Sequence, residues 1–135
     1  MTVSVEIRRS RIHGFGVFTV YPLGKGSVVW MFSPGLDRKI PITQVDYGDP
    51  LEIRFIKERG YINPNRRGDW VLCVDEAQFL NFAPENEKPN LRLGDEQDGE
   101  NLLIAARDIA EGEELTVGSE SDADYVRKIY QFIPA

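Results

Sequence analysis

The chain has 135 residues, 41% of them apolar and 28% charged, with seven Phe, five Tyr and two Trp; this is enough for one globular domain, 1–135, and too little for a second. Sixteen Lys and Arg against twenty-two Asp and Glu give a formal charge of −6, which repels phosphate backbones and argues against direct nucleic-acid binding. The single Cys73 excludes an internal disulfide and a cysteine-rich zinc cluster.

Val3, Val5 and Ile7 alternate with Ser4, Glu6 and Arg8, the period of a half-buried strand ending near Arg9. After the glycines at 14 and 16, GVFTVY predicts a second strand, PLGKG at 22–26 a tight connection and VVWMF at 28–32 a third strand. Leu51, Ile53 and Phe55 alternate as in a strand, although Leu51, Phe55 and Ile56 would also share one helical face; strand is the expectation. Asn63 to Gly68 reads as a loop, Trp70 to Val74 as a short buried strand, and Asp75 as the start of a turn or helix cap. Cys73, inside WVLCV, is expected to be a small buried hydrophobe.

The stretch 83–100 is rich in Pro, Asn, Gly and acids and predicts a surface segment, with LRL at 91–93 as a brief strand. NLLIAA at 101–106 and ELTV at 114–117 are expected to pair as a hairpin across RDIAEGE, with Gly112 at positive φ. Asp122 or Asp124 can cap a final helix carrying Tyr125, Ile129 and Phe132 before Pro134. No apolar run reaches the roughly 18–20 residues that span a bilayer, and MTVSVEIRR lacks a signal-peptide core. The expectation is a cytoplasmic protein without membrane association.

Three ordered segments carry more than local structure: RIHGFGVF at 11–18, QFLNFAPENEKPN at 78–90 and IAARDIAEGEELTV at 104–117. Together they resemble the SET methyltransferase family. The resemblance implies a mainly β fold, a β-clip of several small sheets with short helices and a C-terminal helix. It also implies S-adenosylmethionine as cofactor and methyl transfer to a protein lysine. Carried onto this chain, His13, Gly14, Phe15 and Gly16 and the pair Asn81 and Phe82 would contact the cofactor. Phe82 and Ala83 stand where the family has His and Ser, and about three extra residues precede Pro89-Asn90.

The family places a tyrosine shortly after Glu-Glu-Leu-Thr, where this chain has Ser119. Tyr125 and Tyr61 are therefore the candidate catalytic hydroxyls, with Tyr47 a further aromatic for a substrate channel. Tyr125 has a competing explanation as a packing residue of the final helix, one helical turn from Ile129. Tyr130 and Phe132 are candidates to cover the adenine. The implied partner is a lysine-containing, basic protein or peptide, drawn by the acids from Glu111 to Asp124; the oligomeric state stays open, a homodimer included. The substitution at 119 leaves an alternative, a catalytically silent cofactor- or peptide-binding module. A metal or carboxylate-based hydrolytic site is not expected, because His13 and Cys73 are the only nitrogen and sulfur ligands of the usual kinds.

Overall fold

The computed structural model describes residues 1–63 and 65–118. Strands β1 (Val5–Arg9) and β2 (Phe15–Thr19) form an antiparallel hairpin, with Val5 opposite Thr19 and Arg9 opposite Phe15. β3 (Val28–Trp30) and β4 (Arg38–Pro41) follow, then helix α1 (Pro50–Arg59), β5 (Gly60–Asn63) and β6 (Arg66–Leu72). A 3-10 turn at Glu76–Phe79 leads into the two-residue β7 (Asn81–Phe82). The chain continues through β8 (Leu91–Gln97), β9 (Glu100–Ala105) and the two-residue β10 (Thr116–Val117). The strands make four small sheets, β1-β2, β3-β9-β8, β4-β6-β5 and β10-β7, so the fold is mainly β as expected.

The first three strands lie where the apolar alternation predicts them. The segment around Leu51, Ile53 and Phe55 does not: it is helix α1, not a strand. Asp49 caps it, its carboxylate accepting from Leu51 N at 2.9 Å, Pro50 occupies the first turn, and Lys57 and Arg59 face the negative end of the helix. Among the described residues of this helix only Ile56 is buried, and Leu51 is 76% exposed; local capping therefore outweighs the two-residue alternation.

The expected hairpin between 101–106 and 114–117 is also corrected. β9 pairs antiparallel with β8 and β3, and β10 pairs in parallel with β7. The β8–β9 connection is the two-residue Asp98-Gly99 turn with both φ values positive, +55° and +80°, the backbone a two-residue hairpin favours. Gly112 does adopt a positive φ, +80°, as predicted. Its segment joins the body through single bridges, Leu23 to Ile109 and Phe18 to Glu114.

Three apolar clusters hold the sheets together. Val17, Val29, Leu91, Ala105, Ile109 and Leu115 form one, and Val45, Ile56, Ile62, Trp70 and Leu72 a second. Trp30, Phe32, Val71, Cys73 and Ala77 form the third, between the two three-stranded sheets. Cys73 is buried as predicted, and burial pushes its thiol pKa up, with Asp37 and Asp75 adding to the effect. Asp75 caps the Glu76–Phe79 turn through Ala77 N at 2.9 Å and pairs with the Met1 ammonium. No helix among the described residues is long and apolar enough to cross a membrane.

Candidate functional site

The three motif segments, far apart in sequence, meet at one place. Parallel pairing sets Asn81 beside Thr116 and Phe82 beside Val117, and Ala83 N donates to Val117 O at 2.9 Å. Asn90 completes the join. It is 3% exposed; its amide nitrogen donates to Glu114 O at 2.7 Å, and its side-chain oxygen accepts from Thr116 N at 2.8 Å. One asparagine side chain thus supplies the donor and the acceptor that a neighbouring strand would otherwise provide.

The first segment is a closed loop. Ser10 N donates to Gly14 O at 2.8 Å, Ser10 Oγ accepts from Ile12 N at 2.9 Å, and Gly14 turns the chain at φ +46°. The Asn81 amide nitrogen donates to His13 O and Phe15 O, both at 3.0 Å, and to Glu114 Oε2 at 2.9 Å. Ser10 Oγ donates to the same carboxylate at 2.7 Å. Gly16 permits this junction: a Cβ there would lie 2.3 Å from Glu114 Oε2 and 3.2 Å from the Asn81 amide nitrogen. The cost of any side chain at 16 is steric, whereas at Gly14 it is conformational, since nothing lies within 4 Å of a Cβ there.

Around this junction opens a cleft of about 1400 Å³. It is lined by the loop residues His13, Gly14 and Phe15, by Phe79 to Pro84, and at the apolar end by Trp30, Tyr61 and Cys73. Phe15, Phe79 and Phe82 stand 54%, 41% and 49% exposed, an unusual amount of wet aromatic surface for one wall and a natural stacking platform. Lys57, Arg59, Lys88 and Arg92 also line the cleft, against Glu85 and Glu87. Glu87 is bridged by Arg11 at 2.7 Å.

Of the residues predicted from sequence, His13, Gly14, Phe15, Asn81, Phe82 and Tyr61 therefore share the cleft, and Gly16 lies beneath it. Tyr47 does not line it. The Tyr47 hydroxyl donates to Ile42 O at 2.8 Å and accepts from Trp70 Nε1 at 3.1 Å, packing against the second apolar cluster. Ser119, Tyr125, Ile129, Tyr130 and Phe132 lie outside the described residues. The acids expected to draw a basic partner are in part otherwise engaged: Glu113 pairs with Arg107 at 2.8 Å, and Glu114 is the anchor of the loop. The Glu113 carboxyl is held below its ordinary value, chiefly by the hydrogen bond from Arg107.

Sequence reasoning missed Ser10 and Glu114, the two side chains that fasten the loop. A serine four residues before a turn glycine was a visible signal for Ser10; nothing in the pattern separated Glu114 from its acidic neighbours. Asp46, Asp49 and Glu52 bring carboxylates within 4.8 Å of one another at the start of α1. Two of these accept backbone N–H groups, Gly48 and Leu51, which is capping chemistry.

No family model and no curated protein matches this chain. Solved structures do. A Plasmodium falciparum protein assigned provisionally as a histone methyltransferase aligns over 87% of this chain and 94% of its own, with a TM-score of 0.57 and 15% identity. The methyltransferase domain of human PR domain-containing protein 2 aligns over 87% and 77%, with a TM-score of 0.57 and 22% identity. The chain has a SET-like fold. A humanized mutant of the Chaetomium thermophilum Polycomb Repressive Complex 2, bound to an inhibitor, matches 88% of this SET-like chain at a TM-score of 0.62 and 17% identity, but only 15% of that longer chain. Fold is what these identities carry; the chemistry rests on the cleft itself.

Proposed function

We propose that this SET-like domain is a protein-lysine N-methyltransferase that takes its methyl group from S-adenosylmethionine. The observation that carries the reading is the junction at Asn81, which gathers the three motif segments at one aromatic-walled cleft. The residues present fit such a cofactor. Gly14 leaves the backbone bare on the cleft side, the exposed rings of Phe15 and Phe82 offer faces for a purine, and cationic side chains line the cleft where a carboxylate would need them. Asn81 holds the loop in the shape that binds.

When bound, S-adenosylmethionine supplies an electrophilic methyl whose loss leaves a neutral thioether. The protein's contribution is alignment. Holding an amine and its target close and collinear removes translational and rotational freedom and is worth several kcal/mol, about 7–11 at best. The amine must first be deprotonated from a usual pKa near 10.4, which the apolar end at Trp30, Tyr61 and Cys73 favours by desolvating its charged form. The alternative, a silent cofactor- or peptide-binding module, draws on Ser119 at the position of the usual tyrosine.

Calorimetry with S-adenosylmethionine, followed by incubation with labelled cofactor and a cell lysate, separates the two. Binding with protein-bound label supports the transferase, binding without label supports the silent cofactor-binding module, and no binding defeats the transferase and leaves only the peptide-binding form of the alternative.

A further inference from the structure

Glu100 opens β9 directly after the Asp98-Gly99 turn and is 1% exposed. Three donors converge on its carboxylate: Asn63 Nδ2 at 2.6 Å, Lys39 Nζ at 2.9 Å and the Tyr61 hydroxyl at 3.1 Å. The donors come from β4 and β5, whereas the carboxylate belongs to the other three-stranded sheet. Lys39 also donates to Gly99 O at 2.9 Å and lies 5.1 Å from the centre of the Phe32 ring. Asn63, fully buried, reaches Asn101 Oδ1 at 3.0 Å as well.

A buried ion pair of this kind is a poor stabiliser, because desolvation offsets most of the attraction and apolar replacements are often as stable. What distinguishes this one is its contact with the cleft. Of Lys39, Tyr61, Asn63 and Glu100, only Tyr61 is a lining residue. Its ring is fixed edge-on to Trp30, with centroids 6.2 Å apart and planes at 81°. A phenol carries one proton and two lone pairs. With the proton directed to Glu100, acceptor capacity is what the hydroxyl oxygen has to offer a ligand. An attacking amine has N–H bonds to donate, and an acceptor at one of them orients the nitrogen lone pair along the transfer axis.

We infer that Glu100 is a positioning residue that acts through Tyr61, presenting a fixed hydrogen-bond acceptor to the substrate amine in a chain whose usual tyrosine position holds Ser119. The inference rests on the methyl-transfer reading above. In the step it serves, the amine lone pair forms the new N–C bond, the sulfonium C–S bond breaks with its electrons staying on sulfur, and the surplus amine proton leaves to water.

The test compares wild type, Tyr61→Phe, Glu100→Gln and the double variant, using a pool of lysine-containing peptides as acceptor. Calorimetry supplies the cofactor Kd. Each single change is expected to lower kcat by about 10² while leaving cofactor Kd unchanged, and the double variant should be no slower than Tyr61→Phe. Effects that multiply in the double variant, or a Glu100→Gln loss confined to KM, overturn the role of Glu100 while leaving methyl transfer intact. A wild type that binds cofactor but methylates nothing ends both. Should Glu100→Gln not fold, a crystal structure of wild type with S-adenosylhomocysteine and a lysine peptide decides. The amine is expected within about 3.2 Å of Tyr61 Oη, and an amine held only by another hydroxyl refutes the inference.

Discussion

Gly16→Ala probes the loop junction most directly. The new methyl would stand 2.3 Å from Glu114 Oε2 and 2.8 Å from Glu114 Cδ, so the carboxylate must swing away. In doing so it surrenders the hydrogen bonds from Ser10 and Asn81. Overpacking costs about 1–3 kcal/mol, and losing one hydrogen bond to a charged group adds about 1.5–3 kcal/mol. The expected destabilisation is roughly 2.5–6 kcal/mol, the sum of those two contributions, read as a lower urea midpoint at unchanged m-value. Gly14→Ala is the control: with open space at its Cβ and φ +46°, it should cost only about 1–2 kcal/mol of backbone strain. In a Glu114→Ala background the steric part of the Gly16→Ala cost should fall to what the 3.2 Å approach to the Asn81 amide nitrogen leaves. A Gly16→Ala unfolding free energy within about 1 kcal/mol of wild type, or an equal cost in the Glu114→Ala background, would refute the reasoning.

Asn90→Ala removes the donor to Glu114 O and the acceptor for Thr116 N in a buried setting, and should cost about 2–4 kcal/mol in the same denaturation assay. Asn81→Asp replaces the amide donors with a charge beside Glu114; calorimetry should show S-adenosylmethionine affinity falling by tenfold or more, a loss of about 1.4 kcal/mol or greater. Native Cys73, buried and with its thiol pKa raised, should resist iodoacetamide at about pH 8.5, where an ordinary cysteine is half ionised, and react once urea unfolds the chain. The Glu113 carboxyl is lowered from its ordinary 4.5, so its contribution to stability is present above that pH and fades as the pH falls through the folded value. Wild type and Glu113→Gln should accordingly differ in urea midpoint at neutral pH and converge in acid.

The sequence exposes those parts of the fold whose signals are local. The strands around Val5, Val17 and Val29, the cap at Asp75, the buried Cys73 and the positive φ of Gly112 all follow from neighbours within a few residues. The meeting of His13, Asn81 and Glu114 was anticipated only as far as the motif resemblance carried it. The failures have two causes, pairing that is non-local and local signals outweighed by composition or alternation. Thr116 and Val117 make a strand of two residues whose partner is 35 positions earlier in the register Thr116 to Asn81, a pairing that no local pattern encodes. The Asp98-Gly99 turn was a readable signal for the β8–β9 hairpin, obscured by the polar composition around it. Likewise, Asp49-Pro50 announced α1 more clearly than the alternation of Leu51, Ile53 and Phe55 announced a strand. Tyr61 and Tyr47 looked alike as letters; Tyr61 sits on β5 and lines the cleft, whereas Tyr47 lies in the connection from β4 to α1 and packs against the second apolar cluster.

The parallel pairing of β7 with β10 bears on how the protein is made. On a ribosome the loop at 13–16 and its partner Asn81 emerge long before Glu114 and Thr116, so the carboxylate that anchors the loop and the strand that pairs with Asn81 and Phe82 arrive late. Until then the wet aromatic faces of Phe15, Phe79 and Phe82 have no assembled cleft to belong to, and exposed apolar surface of this kind makes incomplete chains prone to aggregate. Closing so distant a contact carries its entropic cost before any packing repays it. Assembly of the ligand site thus waits on non-local contacts, and a chain able to bind at all has completed that closure.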